Sequence, residues 1–325
     1  MTPLKVLYHH TGWAGYYIAL GWERAFNALG HRCTLFGDWN SAEDFVELLN
    51  SVRPDVVWTS ESQLGLLDLD EVKKAQQSGM FLLVRVSPYP GSGRYPELDL
   101  DPDGESHRLL IREYANAVES FYSSEFVRTE FQWYRSVGLP VLNLPLACDS
   151  EIYKSVREYP TSELGVVYCG GYLPRKRRMF EEFLFPAYRE YGGVISGYSW
   201  PDEIKTESIS QARESEFYQR ATVCPCIMED SIRTTPHDPN EKPFKILGSG
   251  GFCIATPNES YWEYFEPDEL FVVADGESFM SYVDLFTRNP SLRNDWVSRG
   301  RQRVLRCHTY RHRVEQFVKE IESLR

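Results

Sequence analysis

Two stretches of the chain combine glycines, cations and a helix start in the way a phosphate-binding turn requires. The first is Cys169-Gly170-Gly171-Tyr172-Leu173-Pro174-Arg175-Lys176-Arg177-Arg178. The preceding Gly165-Val166-Val167-Tyr168 reads as a buried strand. The glycine pair permits a tight turn and close backbone approach, and Pro174 suits the first turn of a following helix. A helix start offers unsatisfied N–H groups and partial positive charge, which favour an anion. Cations crowded into the same turn oppose that dipole, a conflict that an anionic ligand relieves. This predicts a diphosphate site built from Gly170, Gly171, Arg175 and Arg178; a solvated basic face with turn glycines is the plainer alternative.

The second stretch is Asn240-Glu241-Lys242-Pro243-Phe244-Lys245-Ile246-Leu247-Gly248-Ser249-Gly250-Gly251-Phe252. Lys242 stands at a predicted helix start, again against the dipole and again suited to an anion. Gly250 and Gly251 are read with the diphosphate site, although helix ends use glycines for their own sake. Tyr198 and Trp200 offer aromatic faces for a nucleobase or sugar. At the end of the first strand, Tyr8-His9-His10-Thr11-Gly12-Trp13-Ala14-Gly15 places two histidines where a base could take a proton from a hydroxyl. His10 lies further into the loop than His9. Backbone-bonded structural histidines are the competing reading.

The elements that must position these residues alternate. Strands are expected near 5–8, 32–36, 55–58, 81–86, 119–123 and 141–144, with helices between them, including 16–29 and 42–52. Residues 148–164 are polar, carry Pro160 and read as a linker. A second alternating series follows: strands near 165–169, 194–195, 222–226, 252–255 and 271–273, a helix over 174–188 and another over 243–247, then helices to the end. Strand–helix alternation implies parallel, doubly wound sheets, which bind ligands outside the carboxyl ends of their strands. The expected domains are 1–150, an acceptor-side Rossmann-like unit; 160–307, a donor-side Rossmann-like unit; and a closing helix at 308–325 that packs back on the first.

Bulk properties exclude several classes. The chain has 325 residues, 42% hydrophobic and 25% charged, with a formal net charge of −12. That charge argues against nucleic acid or anionic lipid as the main partner. No run of about 18 apolar residues marks a membrane span, and the N-terminus lacks a signal-peptide core. Seven scattered cysteines suit reduced thiols in a cytoplasm. Asp68-Leu69-Asp70, Asp99-Leu100-Asp101 and Asp101-Pro102-Asp103 spell Asp-x-Asp, but one opens a helix and two sit in the Pro/Gly-rich loop 87–105, so no metal site is expected. Gly91-Ser92-Gly93 in that loop lacks the strand–turn–helix setting of a dinucleotide fingerprint.

The stretch Lys242 to Gly251 with Phe252-Cys253-Ile254-Ala255-Thr256 resembles the signature of the group 1 glycosyltransferases, in the spore-maturation CgeB-like branch. Tyr264-Phe265-Glu266-Pro267-Asp268-Glu269-Leu270, the closing His308-Thr309-Tyr310-Arg311-His312-Arg313, Leu144-Pro145-Leu146-Ala147-Cys148-Asp149 and the Cys169-Gly170-Gly171 turn are similar to further segments of that family. The resemblance covers roughly residues 115–320. It implies a GT-B fold, a UDP-, GDP- or dTDP-sugar donor held by the second domain, a carbohydrate or small-molecule acceptor, and neither metal nor other cofactor. Retaining relatives carry two glutamates eight positions apart; His237 and Lys245 stand at those places here, as donor nucleoside or sugar contacts. The departure leaves three readings open: a transferase, a sugar-nucleotide-binding or coat-assembly protein whose chemistry has lapsed, and an epimerase or hydrolase on the same scaffold.

Overall fold

The computed structural model describes residues 2–37, 40–86, 105–155, 163–229 and 239–325. The chain forms two compact units, Met1–Pro145 with Tyr310–Arg325, and Leu146–Thr309. Each is a parallel sheet layered with helices.

In the first unit the strands are β1 Lys5–His10, β2 Arg32–Gly37, β3 Val56–Ser60, β4 Phe81–Arg85, β5 Ala117–Ser120 and β6 Val141–Asn143. They pair in the order β2-β1-β3-β4-β5-β6. Continuous apolar runs such as Val56-Val57-Trp58 and Phe81-Leu82-Leu83-Val84 are buried on both faces, as parallel strands require. Ser41 and Asp44 form a capping box that starts the Ala42–Val52 helix. Asp68, one of the Asp-x-Asp residues, accepts the Glu71 N–H and caps the Leu69–Gln77 helix. The remaining Asp-x-Asp pairs and Gly91-Ser92-Gly93 lie outside the described residues. The last helix, Tyr310–Leu324, belongs to this unit. It packs Tyr310 on Trp22 at 5.3 Å and Phe317 on Phe26 at 5.2 Å, and Arg313 Nε donates to the Pro145 carbonyl at 2.9 Å.

The second unit holds β7 Leu164–Cys169, β8 Gly193–Ser196, β9 Ala221–Cys226, β10 Cys253–Ala255 and β11 Phe271–Val272, in the order β11-β10-β9-β7-β8. Strand alternation splits its core into two layers: Val167, Cys224 and Cys253 face one, Val166, Val223 and Ile254 the other. The boundary differs from the sequence reading. The break between units falls after Pro145, not at 150, and the start of the 148–164 stretch is core rather than linker. Cys148 and Tyr153 are fully buried, and the Tyr153 hydroxyl donates to Glu214 at 2.8 Å. The helix expected over 174–188 is composite: a 3₁₀ turn at Pro174–Lys176, a π-helical stretch at Phe180–Leu184 and an α-helix at Phe185–Tyr191. Pro186 supplies the reason, because it has no N–H for an i−4 bond and the wider register accommodates its ring.

Candidate functional site

In the second unit β7 is flanked by β8 on one side and β9 on the other. The chain therefore leaves the carboxyl ends of β7 and β9 in opposite directions, the switch point at which open α/β sheets take ligands. Gly170, at φ +153°, follows β7 there. Its N–H donates to the Ser196 carbonyl at 2.8 Å, and Tyr172 N–H donates to the Tyr198 carbonyl at 2.9 Å, so the loops after β7 and β8 run on together. Trp200 Nε1–H donates to the Gly170 carbonyl at 3.0 Å. Trp200 is thus a brace of the turn. Tyr198 is 64% exposed and lies so close over Gly171 that a Cβ there would come within 2.6 Å of its ring. Gly171 N–H has no hydrogen-bond partner among the described residues.

Lys242 completes this turn. It opens the Lys242–Ser249 helix, with Pro243 in the first turn, and its own N–H is taken by Asn240 Oδ1 at 2.8 Å. The helix runs against the strands, so its first residue reaches the carboxyl edge of the sheet. Lys242 Nζ stands 3.7 Å over the Tyr168 ring centroid and would be 3.2 Å from a Cβ on Gly170. No carboxylate lies within ion-pair distance of it among the described residues. Burial pushes its pKa below the usual lysine value, against the opposing pull of Cys226, Cys169 and Glu214. A desolvated ammonium, an unpartnered peptide N–H and a ring face share one glycine turn, an arrangement that can hold a multi-oxygen anion.

The other predicted residues are placed differently. Arg175 Nε pairs with Glu229 at 2.8 Å, Lys176 Nζ donates to the Ile227 carbonyl at 3.2 Å, and Arg177 pairs with Glu181 at 2.8 Å. Protein groups thus relieve much of the conflict that marked the cluster in the sequence; Arg178 lies exposed beside them. Gly250, at φ +82°, ends the Lys242–Ser249 helix in the left-handed conformation, and Gly251 packs close under the Tyr218 carbonyl. Both precede β10, at the opposite edge of the sheet from Gly170, so the structure does not bring them to the turn. Lys245 is buried in an ion pair with Glu241 at 2.7 Å, above the Tyr153 ring at 5.1 Å. His237 lies outside the described residues.

Sequence reasoning missed Tyr168, whose ring seats Lys242, and Cys226 at the end of β9. Burial raises the Cys226 thiol, but hydrogen bonds from Cys253 and Tyr261 and the charge of Lys242 bring it down to about 7. Strand register exposes that grouping: Cys226 pairs with Ala255 on β10, and Cys253, two residues earlier, belongs with Cys226 and Tyr261 to the same buried layer.

The first unit repeats the topology, with its switch point between β1 and β3. His9 Nδ1 and Thr59 Oγ1 share a hydrogen bond of 3.0 Å across it, and His9 stacks on Phe36 at 3.9 Å. His10, also buried, lies over Gly37, where a Cβ would meet its ring at 2.3 Å. Beside them Arg85 Nε pairs with Glu119 Oε2 at 2.7 Å and Nη1 donates to the Tyr8 hydroxyl at 2.9 Å. Trp58 Nε1–H donates to the same carboxylate at 3.3 Å.

Residues 175–319 match the glycosyl transferase-like family. That segment begins in the basic cluster and contains Lys242 and the closing His-Thr-Tyr motif. Solved structures similar over the whole chain are sucrose-phosphate synthase from Thermosynechococcus elongatus, 14% identical, TM-score 0.64, covering 99% of both chains; Anabaena Alr3699/HepE in complex with UDP and glucose, 11% identical, TM-score 0.66, covering 98% of this chain and 100% of that one; and a T4 phage BGT mutant in complex with UDP-glucose, 12% identical, TM-score 0.58, covering 99% of both. The fold is GT-B. Short likenesses also occur to outer-membrane lipoprotein carrier proteins: 36% identity over 89 residues in Shewanella sediminis, 27% of this chain and 37% of that protein, and 47% over 45 residues in Shewanella frigidimarina, 14% and 21%. The chain spans well under half the length of these curated relatives, in stretches shorter than either unit.

Proposed function

We propose that the protein transfers a glycosyl group from a nucleotide-diphosphate sugar to a hydroxyl of a carbohydrate or small-molecule acceptor, without a metal ion. The observation that carries this is Lys242: a desolvated ammonium with no carboxylate beside it among the described residues, seated on Tyr168 next to Gly170 and to a Gly171 N–H that none of those residues accepts. The glycosyl transferase-like match over residues 175–319 and the UDP-glucose complex among its GT-B neighbours support the reading. As the anomeric carbon–oxygen bond breaks, negative charge gathers on the departing diphosphate. Lys242 and Gly171 N–H stabilise that charge from fixed positions, the part a divalent cation plays elsewhere. Tyr198 lends its exposed face to the nucleoside or sugar. The first unit receives the acceptor, and in an inverting reaction His10 or His9 takes the proton of the attacking hydroxyl. The CgeB-like signature supports that branch for the chain, and the scattered, mostly buried cysteines suit a cytoplasmic compartment. Among the described residues no helix is long and apolar enough to cross a membrane.

Calorimetry with UDP, GDP and dTDP tests the site: the wild type binds at least one, and Lys242→Ala weakens it. Unchanged affinity for every nucleotide overturns the assignment. The burial of Lys245 against Glu241, at a position where relatives hold a carboxylate, favours one further reading, nucleotide-sugar binding without turnover. Donor consumption with a panel of acceptors separates the two.

A further inference from the structure

We propose that the second unit carries a separate site for a neutral saccharide, in the cavity beside the edge strand β11, and that it holds an acceptor chain there. The inference rests on the glycosyl-transfer reading but not on the Gly170–Lys242 turn. The cavity has a volume of about 300 Å³, at the small end of the range for small-molecule sites. Its walls include Trp262, Trp296, Pro257, Pro267 and Val272. Two strands, β10 and β9, lie between β11 and β7 in the sheet order, which sets β11 about 14 Å from the strand that leads into the Gly170 turn.

The lining has the amphipathic character of a sugar ring, whose faces are C–H and whose rim is hydroxyl. Two indoles and two prolines supply flat apolar surface, and Trp262 is 50% exposed. Arg299 lies over Trp296 at 5.2 Å and fixes that ring from outside, while its own charge is paired with Asp268 at 3.3 Å. No lining residue is charged, so the cavity offers no countercharge to a phosphate or a carboxylate. Uncharged hydrogen-bonding groups are present. Neither the Trp262 nor the Trp296 indole N–H has a protein partner among the described residues. Val273 N–H donates inward to the Ala255 carbonyl at 3.0 Å, so the preceding Val272 turns its N–H and C=O to the open edge. A peptide strand is a poor occupant, because β11 has two residues and only one of them presents its backbone outward.

The test is titration of the full chain with maltotriose, cellotriose and N,N′,N″-triacetylchitotriose, followed by tryptophan fluorescence and calorimetry. At least one trisaccharide is expected to bind and to protect tryptophan from acrylamide quenching. Trp262→Ala weakens that binding by about tenfold, and Trp262→Phe, which keeps a ring face, restores most of it. UDP affinity measured on the same samples stays unchanged in both variants, so loss of nucleotide binding and loss of saccharide binding are read independently. Absence of binding by all three sugars overturns the proposal. So does binding that is indifferent to Trp262→Ala, or displacement of the sugar by UDP.

Discussion

Replacing Lys242 with methionine separates a ligand-binding lysine from a structural one. Methionine keeps the length and apolar stem and removes the charge. The ammonium sits over Tyr168 at 3.7 Å, with a pKa lowered first by burial, so the folded protein bears a desolvation cost that no carboxylate among the described residues repays. Removing such a charge leaves stability unchanged or raises it by about 1 kcal/mol, a melting temperature held or raised by about 2–4 °C. Loss of one charge-assisted contact to a diphosphate costs about 1.5–3 kcal/mol, or about 10- to 150-fold in UDP affinity. The two readouts should therefore move apart, with affinity falling while stability holds. Calorimetry with UDP and differential scanning of the unliganded protein measure both. A variant that melts several degrees lower and binds UDP as before would make Lys242 a packing residue and refute the reasoning.

The same lysine sets a pH limit. Its protonated form binds, so UDP affinity declines as pH rises through a value below the ordinary lysine pKa of about 10.4; in Lys242→Met that alkaline limb disappears, and its persistence would assign it to another group. Gly171→Ala drives a Cβ to 2.6 Å from the Tyr198 ring. The exposed ring swings aside, and calorimetry should show UDP weakened by about 1 kcal/mol, about fivefold, with the melting temperature nearly constant. His10→Gln should lower transfer by about 10²- to 10⁴-fold without changing UDP affinity, and equal initial rates would remove His10 as the base. Glu119→Ala strands the Arg85 guanidinium in the first unit's core and should cost about 3–5 kcal/mol in urea unfolding.

The strands were legible in the sequence because parallel strands buried on both faces leave unbroken apolar runs such as Phe81-Leu82-Leu83-Val84. Lys242 was legible because a cation at a helix start contradicts the dipole, and the described residues supply no carboxylate to excuse it. The same logic overweighted Arg175, because its partner Glu229 comes from another element and long-range pairing leaves no local trace. Gly250 and Gly251 were grouped with the turn by type alone. The direction of the Lys242–Ser249 helix, which carries its two ends to opposite edges of the sheet, decides otherwise. The polar composition of 148–164 hid Cys148 and Tyr153, two residues whose burial ties the start of that stretch to the second unit. Tyr168 was invisible as a site residue, since a strand tyrosine reads as core until the lysine above it is seen.

The most direct measurement is a crystal structure of the protein soaked with UDP and with a UDP-sugar. The diphosphate is expected at the carboxyl end of β7, with a phosphate oxygen within hydrogen-bond distance of Lys242 Nζ and of Gly171 N–H. A nucleotide whose phosphates lie elsewhere, with Lys242 still resting on Tyr168 and touching no ligand, would contradict it.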